Sequence, residues 1–212
     1  MAATRTPRNR WIEEGLLVLA EGGPDAVRVE VLAKRLGVTK GGFYGFFDDR
    51  DALLRAMLDV WERESTDEVI ARVQREGGDP RSQIQRAGVL TFSSSRLLPI
   101  DLAIRTWARR DAVVAERLRA VDNRRMALLR QMIGAFYSDP EEIEARALLA
   151  FCMAIGVHFL AADHEQRTRG EVAQRALDLL FDPAPRSAAA RPPASAKDRS
   201  QGFRTNTGCA RS

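Results

Sequence analysis

Five residues within a run of six carry most of the chemistry this chain can offer: Thr39, Lys40, Gly41, Gly42 and Tyr44. A hydroxyl, an ammonium and a phenol can all donate to phosphate oxygens, while two side-chain-free positions let the backbone come close to the same surface. Lys40 and Tyr44 are the first candidates for phosphate contacts, and Thr39 can serve as a helix cap and a further donor. Arg28, upstream, adds a second cation. Elsewhere the chemistry is sparse. No nucleophile, base and orienting group fall into a recognisable arrangement, so an enzyme is not expected. His158 and His164 are six apart and lack the i, i+4 spacing of a helical metal pair, so no metal or cofactor is expected either. Cys152 has no basic residue within a helical turn to activate its thiol.

The elements that must position this set can be read from Val31 to Leu54. Leu32, Ala33 and Leu36 give a short helix one apolar side and leave Lys34 and Arg35 outside. Gly37 supplies a turn and Val38 plugs the angle behind it. Thr39 is placed to cap a second short helix. Phe43 and Phe47 are four apart and share a face, with Phe46 beside them at the core. A third helix starts near Asp49, where Asp49 and Asp51 suit the positive end of a helix dipole. Two short helices joined through a glycine, the second placing its first residues outward, form a helix-turn-helix that reads the major groove of DNA.

With Ala33, Gly37-Val38-Thr39-Lys40-Gly41, Phe43-Tyr44, Phe47 and Asp49-Arg50-Asp51 all in register, the segment resembles the DNA-binding signature of the tetracycline-repressor (TetR) family of bacterial transcriptional regulators. The resemblance covers roughly residues 8 to 60; beyond that it is one of helix number and order. It implies a DNA-binding set of Arg28, Thr39, Lys40, Gly41, Gly42, Phe43, Tyr44 and Phe46, a homodimer on a palindromic operator in double-stranded DNA, and a small-molecule effector. Two departures stand out. Gly45-Phe46 replaces the usual large or polar residue followed by His or Tyr, and Arg28 replaces the usual Thr or Ser cap. Three glycines between 41 and 45, each costing up to about 1 kcal/mol relative to alanine in a helix, leave the second helix dependent on its phenylalanines.

Bulk properties fit a cytoplasmic regulator. At 212 residues with 45% hydrophobic content, the chain can hold a small DNA-binding unit and a larger helical core. Two cysteines make no disulfide framework and suit a reducing compartment. The basic stretch before Trp11 lacks a following apolar region, so it reads as an arm and not as a secretion signal. Residues 183–212 carry six basic residues against one acidic, which leaves 27 basic and 28 acidic in the rest. The net charge of +4 therefore says less than the placement of Arg8, Arg10, Lys34, Arg35 and Lys40 around the motif.

The pattern along the chain is all-α, about nine helices in three parts: residues 1–48 with the helix-turn-helix, 49–182 as a ligand-binding and dimerisation domain, and 183–212 as a disordered tail. Expected helices run over about 8–21, the two of the motif, 49–76, 81–92, a stretch following Pro99, 112–136, 141–162 and 171–181. Met57, Trp61, Phe92, Trp107, Met126 and Phe136 are the aromatic and sulfur side chains that could line a pocket for an apolar or aromatic effector. The run from Ala147 to Ala162 is apolar nearly all round yet shorter than the roughly twenty residues of a membrane span. Such a helix must be covered on several sides, and with the resemblance this places Phe151, Ala154, Ile155, His158, Val172, Ala176, Leu179 and Leu180 at a dimer interface. Arg117, Arg119, Arg124, Arg125 and Arg130 alternate with acids and read as a solvated, salt-bridged face. Two other readings stay open: a helical ligand-binding or interaction protein whose DNA-reading motif has degenerated, and a small helical enzyme.

Overall fold

The computed structural model describes residues 7–79, 82–86 and 96–181. Among these residues the fold is entirely helical, without strands. The order is α1 (Arg8–Gly22), a 3-10 turn (Pro24–Ala26), α2 (Val29–Leu36), a second 3-10 turn (Lys40–Gly42), α3 (Arg50–Glu62), a π-helical segment (Arg63–Asp67), α4 (Glu68–Glu76), α5 (Leu97–Ala108), α6 (Ala112–Ile133), α7 (Pro140–Gly156) and α8 (Arg169–Phe181). Residues 82–86 are also helical. Phe92, the rest of the helix expected over 81–92, residues 1–6 of the basic arm and the tail from 182 onward lie outside the described residues.

Caps set most boundaries. Asp49 accepts from the Ala52 amide at 2.7 Å to start α3, Asp111 from Val113 and Val114 to start α6, and Asp139 from Glu141 ahead of Pro140 to start α7. At α8, Thr168 and Glu171 bond reciprocally to each other's amides, a capping box. α5 begins two residues before Pro99 and not after it, because proline in a first turn lacks only an amide that has no helical acceptor anyway. The helix expected over 141–162 stops at Gly156, so the apolar residues beyond it do not continue α7.

One hydrophobic cluster runs from Trp11, Leu16 and Leu19 of α1 through Leu32 and Phe43 to Met57 and Trp61 of α3, Ile104 of α5 and Val121 of α6. A second joins Val69 and Val73 of α4 to Met132 and Ile133 of α6, Ala147 and Ala150 of α7 and Phe181 of α8. Between the residues of these two cores lies a polar joint. Asp101, only 1% exposed, accepts from Trp61 Nε1 at 3.1 Å, Arg125 Nη2 at 2.9 Å and Arg105 Nε at 2.8 Å. Arg105 forks onto both carboxylate oxygens of Asp122. Burial by itself would push the Asp101 carboxyl up, yet the two guanidinium groups override it and hold it below the usual carboxylate range. Arg125 is thus a buried partner, not part of a solvated face. Its neighbours do follow the expectation, since Arg119 pairs with Glu116, Arg124 with Asp67 and Arg130 with Glu144 at the surface.

Candidate nucleic-acid interface and ligand cavity

The turn after α2 is built as its sequence requires. Gly37 has φ 68° and ψ 30°, the left-handed region, and the amides of Gly37 and Val38 close back onto Lys34 and Ala33 carbonyls at 3.2 and 2.9 Å. This is a Schellman stop, whose left-handed φ glycine adopts without the backbone strain a side chain would bring. The next element differs from expectation. Instead of a second α-helix there is one 3-10 turn, Lys40–Gly42, followed by turns from Phe43 to Phe46. Thr39 precedes it in an extended conformation but its hydroxyl caps nothing. The three glycines withhold helix propensity, and burial sets the path instead. Phe43 and Phe47 each contribute about 2–3 kcal/mol by leaving water, more than the glycines cost.

Phe43 is 0% exposed, edge-on to Trp11 at 5.4 Å and stacked on Phe47 at 5.2 Å. It is therefore an anchor and not a surface contact, which corrects its place in the DNA-binding set; Phe46 is half-buried against the same core. What this anchor presents outward is Thr39, Lys40, Gly41, Tyr44 and, across the turn, Arg28. Tyr44 is 62% exposed, its ring edge-on to Phe43. Lys40 Nζ meets Glu30 at 2.6 Å in an exposed pair, and the lysine holds the Glu30 carboxyl below its ordinary range. Arg28 Nε donates to the Asp25 carbonyl at 3.1 Å. A Cβ placed on Gly41 or Gly42 would meet nothing closer than 3.8 Å, so the fold does not itself demand these glycines.

Residues 12–57 match the family model described as bacterial regulatory proteins, tetR family. Over those residues, about a fifth of its length, the chain is similar to the DNA-binding region of the TetR family. YuxN of Bacillus subtilis (strain 168), whose name describes an HTH-type transcriptional regulator, is 31% identical over 75 residues, 35% of this chain but only 25% of that protein. An inferred transcriptional regulator from Saccharomonospora viridis, solved in complex with choline, superposes with a TM-score of 0.68 at 16% identity over 82% of this chain and 94% of that one. AibR, solved with isovaleryl coenzyme A and operator DNA, superposes with a TM-score of 0.61 at 15% identity over 81% and 98%.

The fold carries a cavity of about 360 Å³ in its second half. Its wall runs from Ser65, Thr66, Val69 and Ile70 through Ile84, Gln85, Arg125, Leu128, Leu129 and Met132 to Ala150, Phe151, Ala154, His158, Arg169, Ala173 and Gln174. Of the six expected pocket residues, the five that are described are all absent from that wall. Met57 and Trp61 are fully buried in the first core, Trp107 packs against it, Met126 packs against the second and Phe136 stands 47% exposed. Ser65 and Thr66 sit on the π segment and return their hydroxyls to the carbonyls of Trp61 and Glu62, while Ser65's own carbonyl accepts from Arg125 Nε at 3.4 Å. Side chains that bond back one turn loosen a helix, and the widened turn here faces the cavity.

The residues expected at a dimer interface divide between the inside and the outside of the single chain. Phe151, Ala154 and His158 turn inward and line the cavity, and Leu180 packs on the second core. Ile155, Val172 and Ala176 are half-buried. Exposed instead are Leu148, Leu149, Phe159 and Leu160, together with Leu179 of α8, which was expected there. Leu148, Leu149 and Cys152 follow helical spacing, so they form an uncovered apolar stripe. Among the described residues no helix is long and apolar enough to cross a membrane, and no group of His, Cys, Asp and Glu is placed to hold a metal.

Proposed function

We propose that this transcriptional regulator binds a palindromic DNA operator as a homodimer and acts as a repressor released by a small apolar effector. The observation that carries the DNA reading is the surface of Lys40, Gly41 and Tyr44 held out on the buried Phe43–Phe47 anchor. Two copies would set these surfaces about one helical turn apart. The functional division stays at residues 1–48 and 49–182, although one hydrophobic cluster spans the two. Coupling would run along one helical path. The cavity touches the π segment and α4, these continue from α3, and Arg50 at the head of α3 donates to the Val27 and Pro24 carbonyls behind α2. An effector that binds the DNA-free form more tightly than the DNA-bound form shifts that path and lowers operator affinity by the same ratio.

Selection from a random duplex pool should return a palindrome. Lys40→Ala should then weaken binding broadly and make the salt dependence shallower by about one unit of slope. Recovery of no sequence would favour an interaction module with a degenerate motif, and an unchanged slope would remove Lys40 from the phosphate contacts. Gly42→Ala separates fold from function. The added methyl has room and should raise stability by up to about 1 kcal/mol in urea unfolding, yet it should weaken DNA binding because the backbone no longer approaches as closely. Equal affinity would show that DNA does not come near Gly42.

A further inference from the structure

Resting on the reading of the cavity as the effector site, we infer that it selects an anionic amphiphile: an apolar chain seated among Leu128, Leu129 and Met132, with its acidic head at Arg169 and His158. The sign of the wall supports this. Among the described lining residues none is Asp or Glu, whereas Arg125 and Arg169 bring guanidinium groups and His158 a polar ring. Arg125 is already balanced by Asp101 and Asp122. Arg169 has no carboxylate partner among the described residues; it is exposed and donates only to the Val157 carbonyl at 3.2 Å. The acids of α8 do not compete, because Glu171 bonds to Thr168 and Asp178 to Gln174, and neither lines the cavity. A cationic head would meet an arginine at the rim with no carboxylate in the wall to receive it, and a neutral head would leave Arg169 in water. The apolar wall favours a chain over a compact polar ligand, since each buried methylene adds to affinity.

Three probes with one chain and different heads test this by calorimetry on the full chain: decanoate, decanol and decyltrimethylammonium, each kept below micelle formation. Decanoate should bind most tightly and the ammonium most weakly. Arg169→Ala should lower decanoate affinity about fivefold, the effect of one exposed ion pair, and leave decanol unchanged. Ala173→Trp, which fills the cavity, should abolish binding of all three. Equal affinities for decanoate and decanol, a preference for the ammonium, or no effect of Arg169→Ala on decanoate would overturn the selection while leaving an effector cavity in place. Binding by none of the probes, or binding that survives Ala173→Trp, would overturn the cavity as effector site and the selection with it. The operator experiments above stand independently of either result.

Discussion

Asp101→Asn should destabilise the protein by about 3–5 kcal/mol, because it removes one charge from a buried pair and leaves the others uncompensated. The substitution keeps the shape and an oxygen for Trp61 Nε1, so the effect isolates charge. Arg125 and Arg105 would share Asp122 alone, and Arg125 is 8% exposed, too buried for water to replace the lost partner. For a chain of this size that corresponds to a fall in Tm on the order of 10 °C. Glu116→Gln, which breaks only the exposed pair with Arg119, should change stability by less than about 1 kcal/mol. The pH dependence follows from the direction of the shift. Since the folded carboxyl titrates below its unfolded value of about 3.9, its contribution is complete above that pH and is lost as pH falls through the folded value. The gap between wild type and Asp101→Asn should therefore be full at neutral pH and narrow in acid. A gap under 1 kcal/mol at pH 7 would mean that the joint is not a stabilising pair.

Local patterns were the legible ones. Gly37, the apolar side of α2, the Phe43–Phe47 spacing and the Asp49 cap depend on neighbours within a turn or two, and each lies where the spacing put it. The second helix of the motif failed for a local reason that was visible: three glycines in five positions outweigh one capping threonine. The pocket failed for a different reason. Large aromatic residues fill interiors, so collecting Trp61 and Met57 finds the core; a cavity forms where side chains are small, as at Ala150, Ala154, Gly170 and Ala173. From Ala147 onward α7 is apolar on every side, and no periodicity tells which side faces in. Asp101 was the missed signal, an acid alone between Ile100 and Leu102 in an apolar helix. An acid so placed needs a buried cation, and Arg125 on α6 is that cation.

Leu149→Arg should convert the protein to a monomer and lower operator affinity by about 10²–10⁴-fold, the advantage that a second tethered half-site supplies. Leu149 is 57% exposed in the single chain, so arginine there costs the protomer little and its helix content should not change. The prediction takes the two copies to meet on the stripe of Leu148, Leu149 and Cys152, where a new charge on each would be buried without a partner. Sedimentation velocity with a parallel operator titration reads both effects. Ala154→Arg is the informative contrast: it points a charge into the cavity wall, so it should lower thermal stability and effector binding before it changes assembly. If Leu149→Arg sediments as a dimer with unaltered operator affinity, the chains meet on another surface and the stripe on α7 serves something else. If Ala154→Arg dissociates the dimer while keeping wild-type stability, the faces of α7 are assigned the wrong way round.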